Sequence, residues 1–190
     1  MTDFLRKETH KVNSFLVLLI TIVLVSFFIT GCDLFKPQPA TDFTLRDMNE
    51  EPYTLSSFAG RVIWLQFLNP ETEGCKNVAE RTRDRFQELI DDDFIIITVL
   101  IGNKIGDDDI PVDALICEDW VDTYTLNYPI LYNNSIIGES VVDAWGMYNH
   151  EDKVPLTIII NKDFNLKFKH IGFVNWEEQI YNLIIRYKSD

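Results

Sequence analysis

Apolar and polar positions fall into alternating blocks along most of the chain. Val62 to Leu68 (VIWLQFL), Phe94 to Ile101 (FIIITVLI) and Leu156 to Ile160 (LTIII) are almost unbroken apolar runs. Short β-branched runs bounded by turn residues suit central strands buried on both faces. Between the first two lies Glu73 to Ile90, where Val78, Phe86, Leu89 and Ile90 recur among many charges. That spacing predicts a mostly solvated amphipathic helix. Val112 to Tyr124 predicts a second helix, striped by Leu115, Ile116, Trp120 and Tyr124, and Glu139 to Tyr148 a shorter third. Phe43-Thr44-Leu45 and Tyr53-Thr54-Leu55 alternate around the polar turn RDMNEE, as a short hairpin or edge strand does, and Ser56 to Gly60 is a connecting turn. Leu166 to Ile171 reads as a strand after the turn Lys162-Asp163-Phe164-Asn165. Asn175 opens the last helix, with Glu178 completing a capping box and Ile180, Leu183, Ile184 and Tyr187 forming its apolar stripe. With one further strand between the second and third helices, the order β-β-β-α-β-α-β-α-β-β-α predicts an α/β sandwich.

A different pattern precedes this block. Arg6, Lys7 and Lys11 are followed by an uncharged stretch from Ser14 to Thr30 (SFLVLLITIVLVSFFIT). Basic residues, then an apolar run, then small residues are the layout of a signal peptide. Such a run could also cross a bilayer uncleaved, as a helix of ~17–25 residues. Ile29-Thr30-Gly31-Cys32 resembles the bacterial lipobox, and this favours cleavage before Cys32 and diacylation of that cysteine. Residues 1–31 are therefore expected to be a lipoprotein signal peptide. Residues 32–41, with Pro37 and Pro39, are expected to be a tether, and residues 42–190 the folded domain. The domain is placed at the cell envelope, facing the periplasm or exterior, with the membrane as a partner through the lipid.

Charge agrees with that division. The chain has 17 basic and 30 acidic side chains, net −13. Cleavage before Cys32 leaves 14 and 28, so anionic headgroups repel the protein and attachment must come from the lipid. The acidity also excludes nucleic acid as a partner, since phosphate binding needs clustered Lys and Arg. No pair among the three His (10, 150, 170) and three Cys (32, 75, 117) has a zinc-ligand spacing, and no metal or cofactor is expected. Asn103 to Pro111 (NKIGDDDIP) reads as a solvated acidic loop.

Candidate chemistry centres on Cys75, which directly follows a buried strand and sits in the first turn of a helix. The positive end of the helix dipole favours thiolate there, Lys76 adds to this, and Glu71 and Glu73 oppose it, so the sign of the net shift is open. Thr72 is placed as the N-cap, its hydroxyl accepting a backbone N–H.

The run ATDFTLRDMNEEPYTLSSFAGRVIWLQFLNPETEGC resembles the opening of the thioredoxin-fold redoxins, both the TlpA-like tethered thiol reductases and the AhpC/TSA peroxiredoxins. Asp42-Phe43-Thr44-Leu45, Leu55 to Val62 and Phe67 match the first group, and Val154-Pro155-Leu156-Thr157 with IIINKDFNLKFKHIGF is similar to its cis-proline loop and last hairpin. The resemblance covers about residues 40 to 188. It implies a thioredoxin-like three-layer sandwich with a central mixed sheet and an N-terminal β-hairpin extension, and a cis-proline at Pro155 lying against the Thr72–Cys75 turn.

It also implies a site made of Cys75, Thr72 and Pro155. The attacking cysteine of the reductases falls on Thr72 and their second on Cys75, so a dithiol cycle lacks a thiol. Thr-x-x-Cys is instead the peroxiredoxin arrangement, in which the Thr orients peroxide and the Cys attacks it. That family also has a Pro seven residues before its Cys, where this chain has Leu68, and an Arg for which Lys153 is a partial substitute. The reading is an envelope-tethered antioxidant or thiol oxidoreductase acting on a thiol or peroxide, with an unknown reductant. The alternative is a thioredoxin-fold binding or assembly module without catalysis. Copper delivery would want a second soft ligand beside Cys75. Cys117 reads as core, on a helix expected to cover the other sheet face; His150 and His170 read as surface residues.

Overall fold

The strand-forming runs assemble into one sheet in the computed structural model, which describes residues 37–190 apart from 106, 107, 134, 138, 139, 149, 150 and 152. The elements, in chain order, are β1 (Thr44–Asp47), β2 (Pro52–Thr54), β3 (Val62–Leu68), α1 (Glu73–Phe86), β4 (Phe94–Leu100), β5 (Asn103–Ile105), β6 (Asp108–Ile110), α2 (Ala114–Tyr124), β7 (Ile130–Tyr132), β8 (Ser135–Ile137), β9 (Ser140–Val142), α3 (Ala144–Tyr148), β10 (Leu156–Ile160), β11 (Leu166–Ile171) and α4 (Tyr181–Ser189). Seven strands form the sheet in the order β11-β10-β3-β4-β7-β1-β2. β3, β4 and β7 run parallel, while β10 is antiparallel to β3 and β11, and β1 to β2 and β7. This is the expected mixed sheet, and the N-terminal hairpin forms its far edge.

Every residue of β3 and β4 is buried, which explains their unbroken apolar runs. One core lies on the face of Val62, Trp64 and Leu68 and takes in Cys75, Val78 and Phe86 of α1, Cys117, Trp120 and Tyr124 of α2, and Ile184 of α4. The other lies on the face of Ile63, Leu65 and Phe67, against Ala144 and Tyr148 of α3 and Phe43, Leu45 and Leu55 near the N-terminal hairpin. The three layers are α1, α2 and α4, then the sheet, then α3 with the N-terminal segment.

Several expectations are corrected. α2 does not cover the other sheet face; it shares a core with α1. Leu115, assigned to its buried stripe, is 69% exposed, and the buried residues are Cys117, Trp120 and Tyr124. Cys117, Trp120 and Tyr124 lie three and four residues apart and so form the inward stripe, while Asp113 caps the helix, accepting from the Ile116 N–H at 3.0 Å. The third helix is only Ala144–Tyr148, because Ser140–Val142 pairs with Ser135–Ile137 as a β-ladder. The acidic segment after Gly102 is likewise a ladder, Asn103–Ile105 against Asp108–Ile110, rather than a loop. α1 ends at Phe86 and continues as a 3₁₀ turn, Gln87–Leu89. A π-helical turn, Trp176–Ile180, precedes α4, and Asn175 accepts from the Glu178 N–H at 3.4 Å while its amide meets the Glu178 carboxylate at 3.1 Å. The folded unit begins at Gln38, inside the segment expected as tether. The Ala40 N–H donates to the Phe164 carbonyl and the Leu166 N–H to the Gln38 carbonyl, at 2.9 and 2.8 Å. Cys32, the lipobox and the apolar run before it lie outside the described residues; among the described residues no helix is long and apolar enough to cross a membrane.

Candidate functional site

β3 ends at Leu68 and α1 starts at Glu73, and Asn69 organises the loop between them. Asn69 is buried; its Oδ1 accepts from the Glu71 N–H at 2.8 Å and its carbonyl from the Thr72 N–H at 3.1 Å. Its Nδ2 donates to the Gly102 carbonyl at 3.3 Å and so ties the loop to the chain leaving β4. Thr72 does occupy the N-cap position, with extended backbone at φ −90° and ψ 120°. Its hydroxyl makes no capping bond, contrary to expectation. The Thr72 carbonyl accepts from Cys75 and Lys76 at 2.9 and 3.2 Å, while the Asn69 carboxamide serves the loop itself, at the Glu71 N–H.

Cys75 stands in the first turn of α1 and is fully buried. Burial pushes its thiol up to about 11, and the Asn69 backbone N–H pulls weakly the other way. Desolvation, the larger of the two effects, therefore sets the direction that the sequence left open. Cys117 is also a free, buried thiol, pushed up to about 12 by burial and by the charges of Asp113, Asp47 and Glu50.

The sheet register places the third candidate. Leu156 pairs with Phe67, so Pro155 lies one step farther, at the end of β3 from which the Asn69–Thr72 loop departs. The Val154–Pro155 bond is cis. The Pro155 carbonyl accepts from the Gly172 N–H at 2.7 Å, which joins this loop to the segment after β11. Lys153 makes an exposed ion pair with Glu151 at 3.4 Å. His170, on β11, has its Nε2 3.1 Å from the Phe173 carbonyl oxygen; His150 lies outside the described residues.

Several residues that no sequence pattern singles out complete the site. Phe173 lies against Gly74: a Cβ on that glycine would stand 2.8 Å from the Phe173 Cζ atom. Phe173 falls in the turn after β11, where neither a strand nor a helix period runs. Behind the site, Thr98 donates to the Gln66 Oε1 at 2.9 Å, and the Gln66 Nε2 donates to Thr82 at 3.0 Å. This fully buried chain links β4, β3 and α1. Gln66 and Thr98 interrupt the apolar runs of β3 and β4, and they mark the network in the sequence. Beside the loop, Pro70, Glu71, Lys76, Asp119, Trp120 and Tyr124 line a groove of about 360 Å³. Among the described residues, no three His, Cys, Asp or Glu side chains are grouped as metal ligands.

Comparison with known proteins agrees with this architecture. Similar folds include a candidate protein disulfide isomerase from Bacteroides thetaiotaomicron (TM-score 0.64, 17% identity, 82% of this chain and 91% of that one). A thiol-disulfide isomerase from Corynebacterium glutamicum gives 0.61 at 14% identity, covering 82% and 96%. The exposed lipoprotein thioredoxin of Streptococcus pneumoniae gives 0.54 at 20%, covering 77% and 99%. At these identities the likeness establishes the thioredoxin-like fold. No curated protein matches the chain. The sequence model of the AhpC/TSA family matches residues 37–169, from the start of the folded unit through β10 and into β11, and the chain belongs to the AhpC/TSA family.

Proposed function

We propose that this protein is an envelope-tethered redoxin whose redox centre is Cys75, with hydroperoxide as oxidant and an external thiol as reductant. The observation that carries the reading is the position of Cys75: first turn of α1, directly after β3, beside the strand end where Pro155 sits. In the reaction the Cys75 sulfur attacks a peroxide oxygen. An S–O bond forms as the O–O bond breaks; the sulfur loses two electrons, and the departing oxygen takes up the thiol proton and leaves as water or alcohol. An external thiol condenses with the sulfenic acid and releases water, and a second thiol reduces the mixed disulfide. On this reading Thr72, at the N-cap, and Pro155, at the neighbouring strand end, flank the reaction. A thiol held near 11 is almost wholly protonated at neutral pH, so turnover is slow.

The test is mass spectrometry of the chain after stoichiometric hydrogen peroxide, with and without a sulfenic-acid trap. Trapped oxidation at Cys75 supports the proposal, and an unmodified Cys75 at equimolar peroxide overturns it. Tethering rests on the lipobox at Cys32, and mass spectrometry of the membrane-bound chain should find a diacylated Cys32 at a new N-terminus, with Cys32→Ser losing both the lipid and the cleavage. A parent chain that is uncleaved and unmodified at Cys32 overturns the lipid tether.

Burial favours the second reading, a binding or assembly module without catalysis: Cys75, the one thiol left where the reductases have two, is fully buried. On that reading Cys75→Ser leaves the biological role intact, and a null phenotype excludes it.

A further inference from the structure

Pro155 and the loop from Asn69 to Thr72 stand at one end of the central strands, and the sheet register shows what stands at the other. Leu156 pairs with Phe67 and Ile160 with Ile63, so β10 runs away from that loop. Its turn into β11 therefore lies beside the start of β3. The Gly60 N–H donates to the Lys162 carbonyl at 2.9 Å and fixes the turn next to the residues entering β3.

The chain enters the folded unit at the same place. The Ala40 N–H donates to the Phe164 carbonyl at 2.9 Å, the Leu166 N–H donates to the Gln38 carbonyl at 2.8 Å, and Pro39 bridges Asn165. This short ladder pins Gln38 to Ala40 on the β10–β11 turn. β3 has seven residues, so its two ends stand ~20 Å apart. That length separates the entry from the end that carries Pro155 and Cys75. Cys32 precedes Gln38 by six residues, which reach ~20 Å at most when fully extended.

Charge acts in the same sense. At the entry end Asp91, Asp92 and Asp93 are paired with Lys188, Arg61 and Lys162. At the opposite end Glu71, Glu73, Asp113 and Asp143 stand against Lys76, and Lys153 is paired with Glu151. Anionic headgroups repel that end more strongly.

We propose that the folded unit stands on the membrane by its β10–β11 turn, with the lipid surface as the partner of that end and with Pro155 and Cys75 turned toward the aqueous side. The external thiol proposed as reductant is then delivered from solution, and a thiol held at the bilayer surface does not reach that end. The orientation rests on the lipid at Cys32 and not on the reactivity of Cys75.

The test places a donor dye at either end of the lipidated full chain. It reads energy transfer to an acceptor on the headgroups of phosphatidylcholine–phosphatidylglycerol vesicles. Asp163→Cys labels the turn and Glu71→Cys the opposite end; both side chains are exposed, whereas Cys75 and Cys117 are buried and react slowly. Transfer from position 163 should exceed that from position 71 by about twofold or more, given ends ~20 Å apart. Equal transfer from both positions, or more from position 71, overturns the orientation and leaves the lipid tether standing. Mass spectrometry of the same sample reads Cys32. A chain without lipid there that stays off the vesicles overturns the tether, and the orientation with it.

Discussion

Cys75 is at once the residue best placed for chemistry and the one whose chemistry burial suppresses. Its position was legible from strand, loop and helix start alone, because those elements are local. Its ionisation was not, since the helix terminus and desolvation act in opposite senses and only packing shows which is larger. With the thiol pushed up to about 11, the rate of Cys75 labelling by iodoacetamide should climb through pH 9 and level off only near 11. A plateau at pH 7 to 8 in that profile would show that the thiol is activated. The same shift has a stability consequence. The folded state holds this proton more tightly than the unfolded chain, whose thiol titrates near 9.0. Stability is therefore unaffected below that value and falls as pH rises from it toward about 11.

Among elements, α1 is fixed by more than its apolar stripe. The chain from Thr98 through Gln66 to Thr82 joins two strands to the helix that carries Cys75. Each partner is fully buried, so removing one strands the others without water. Thr82→Val keeps the shape and leaves the Gln66 amide unpaired, at a cost of about 1–3 kcal/mol. Urea unfolding of the variant checks this; a change below a few tenths would mean the network is dispensable. The expected third helix shows the opposite case. Glu139 to Tyr148 carries Val141 and Val142 in helical spacing with later apolar residues, yet Ser140–Val142 pairs with Ser135–Ile137. The helix starts only after Asp143, whose Oδ1 accepts from the Gly146 N–H at 3.0 Å and from the Asn133 amide at 2.9 Å. A ladder partner and the cap at Asp143 override a local period.

For the whole folded unit, handedness explains the placement of α2. The chain steps from β3 through α1 to β4 and then through α2 to β7, two parallel crossovers moving the same way across the sheet. Right-handed crossovers in one direction leave both helices on one face. The return from β7 to β10 carries α3 to the other face. α4 closes the first face and is pinned at its end by Lys188, which donates to Asp91 at 2.6 Å, just before β4. The hydrogen bond from Lys188 holds the Asp91 carboxyl below its ordinary 3.8. That stabilisation is complete above 3.8 and lost as pH falls through the lower folded-state value. Asp91 is about half exposed, so screening limits the contribution to ~1 kcal/mol or less. Asp91→Asn should lower stability by that amount at pH 7 and by progressively less as pH falls below 3.8, by urea titration at both ends of that range. An equal loss at both would assign the effect to packing.

The sequence by itself determined what depends on near neighbours along the chain: the buried strands, the amphipathic helices, the α/β class, and a cysteine at a strand-to-helix junction. These follow from period and from residue type, which no distant contact needs to supply. Tertiary structure alone decided which face α2 covers, where Glu139 to Val142 pairs, that Phe173 rests on Gly74, and that the Cys75 thiol stays protonated. Each of these depends on strand order or on desolvation by segments far away in sequence, and neither quantity exists until the chain has folded.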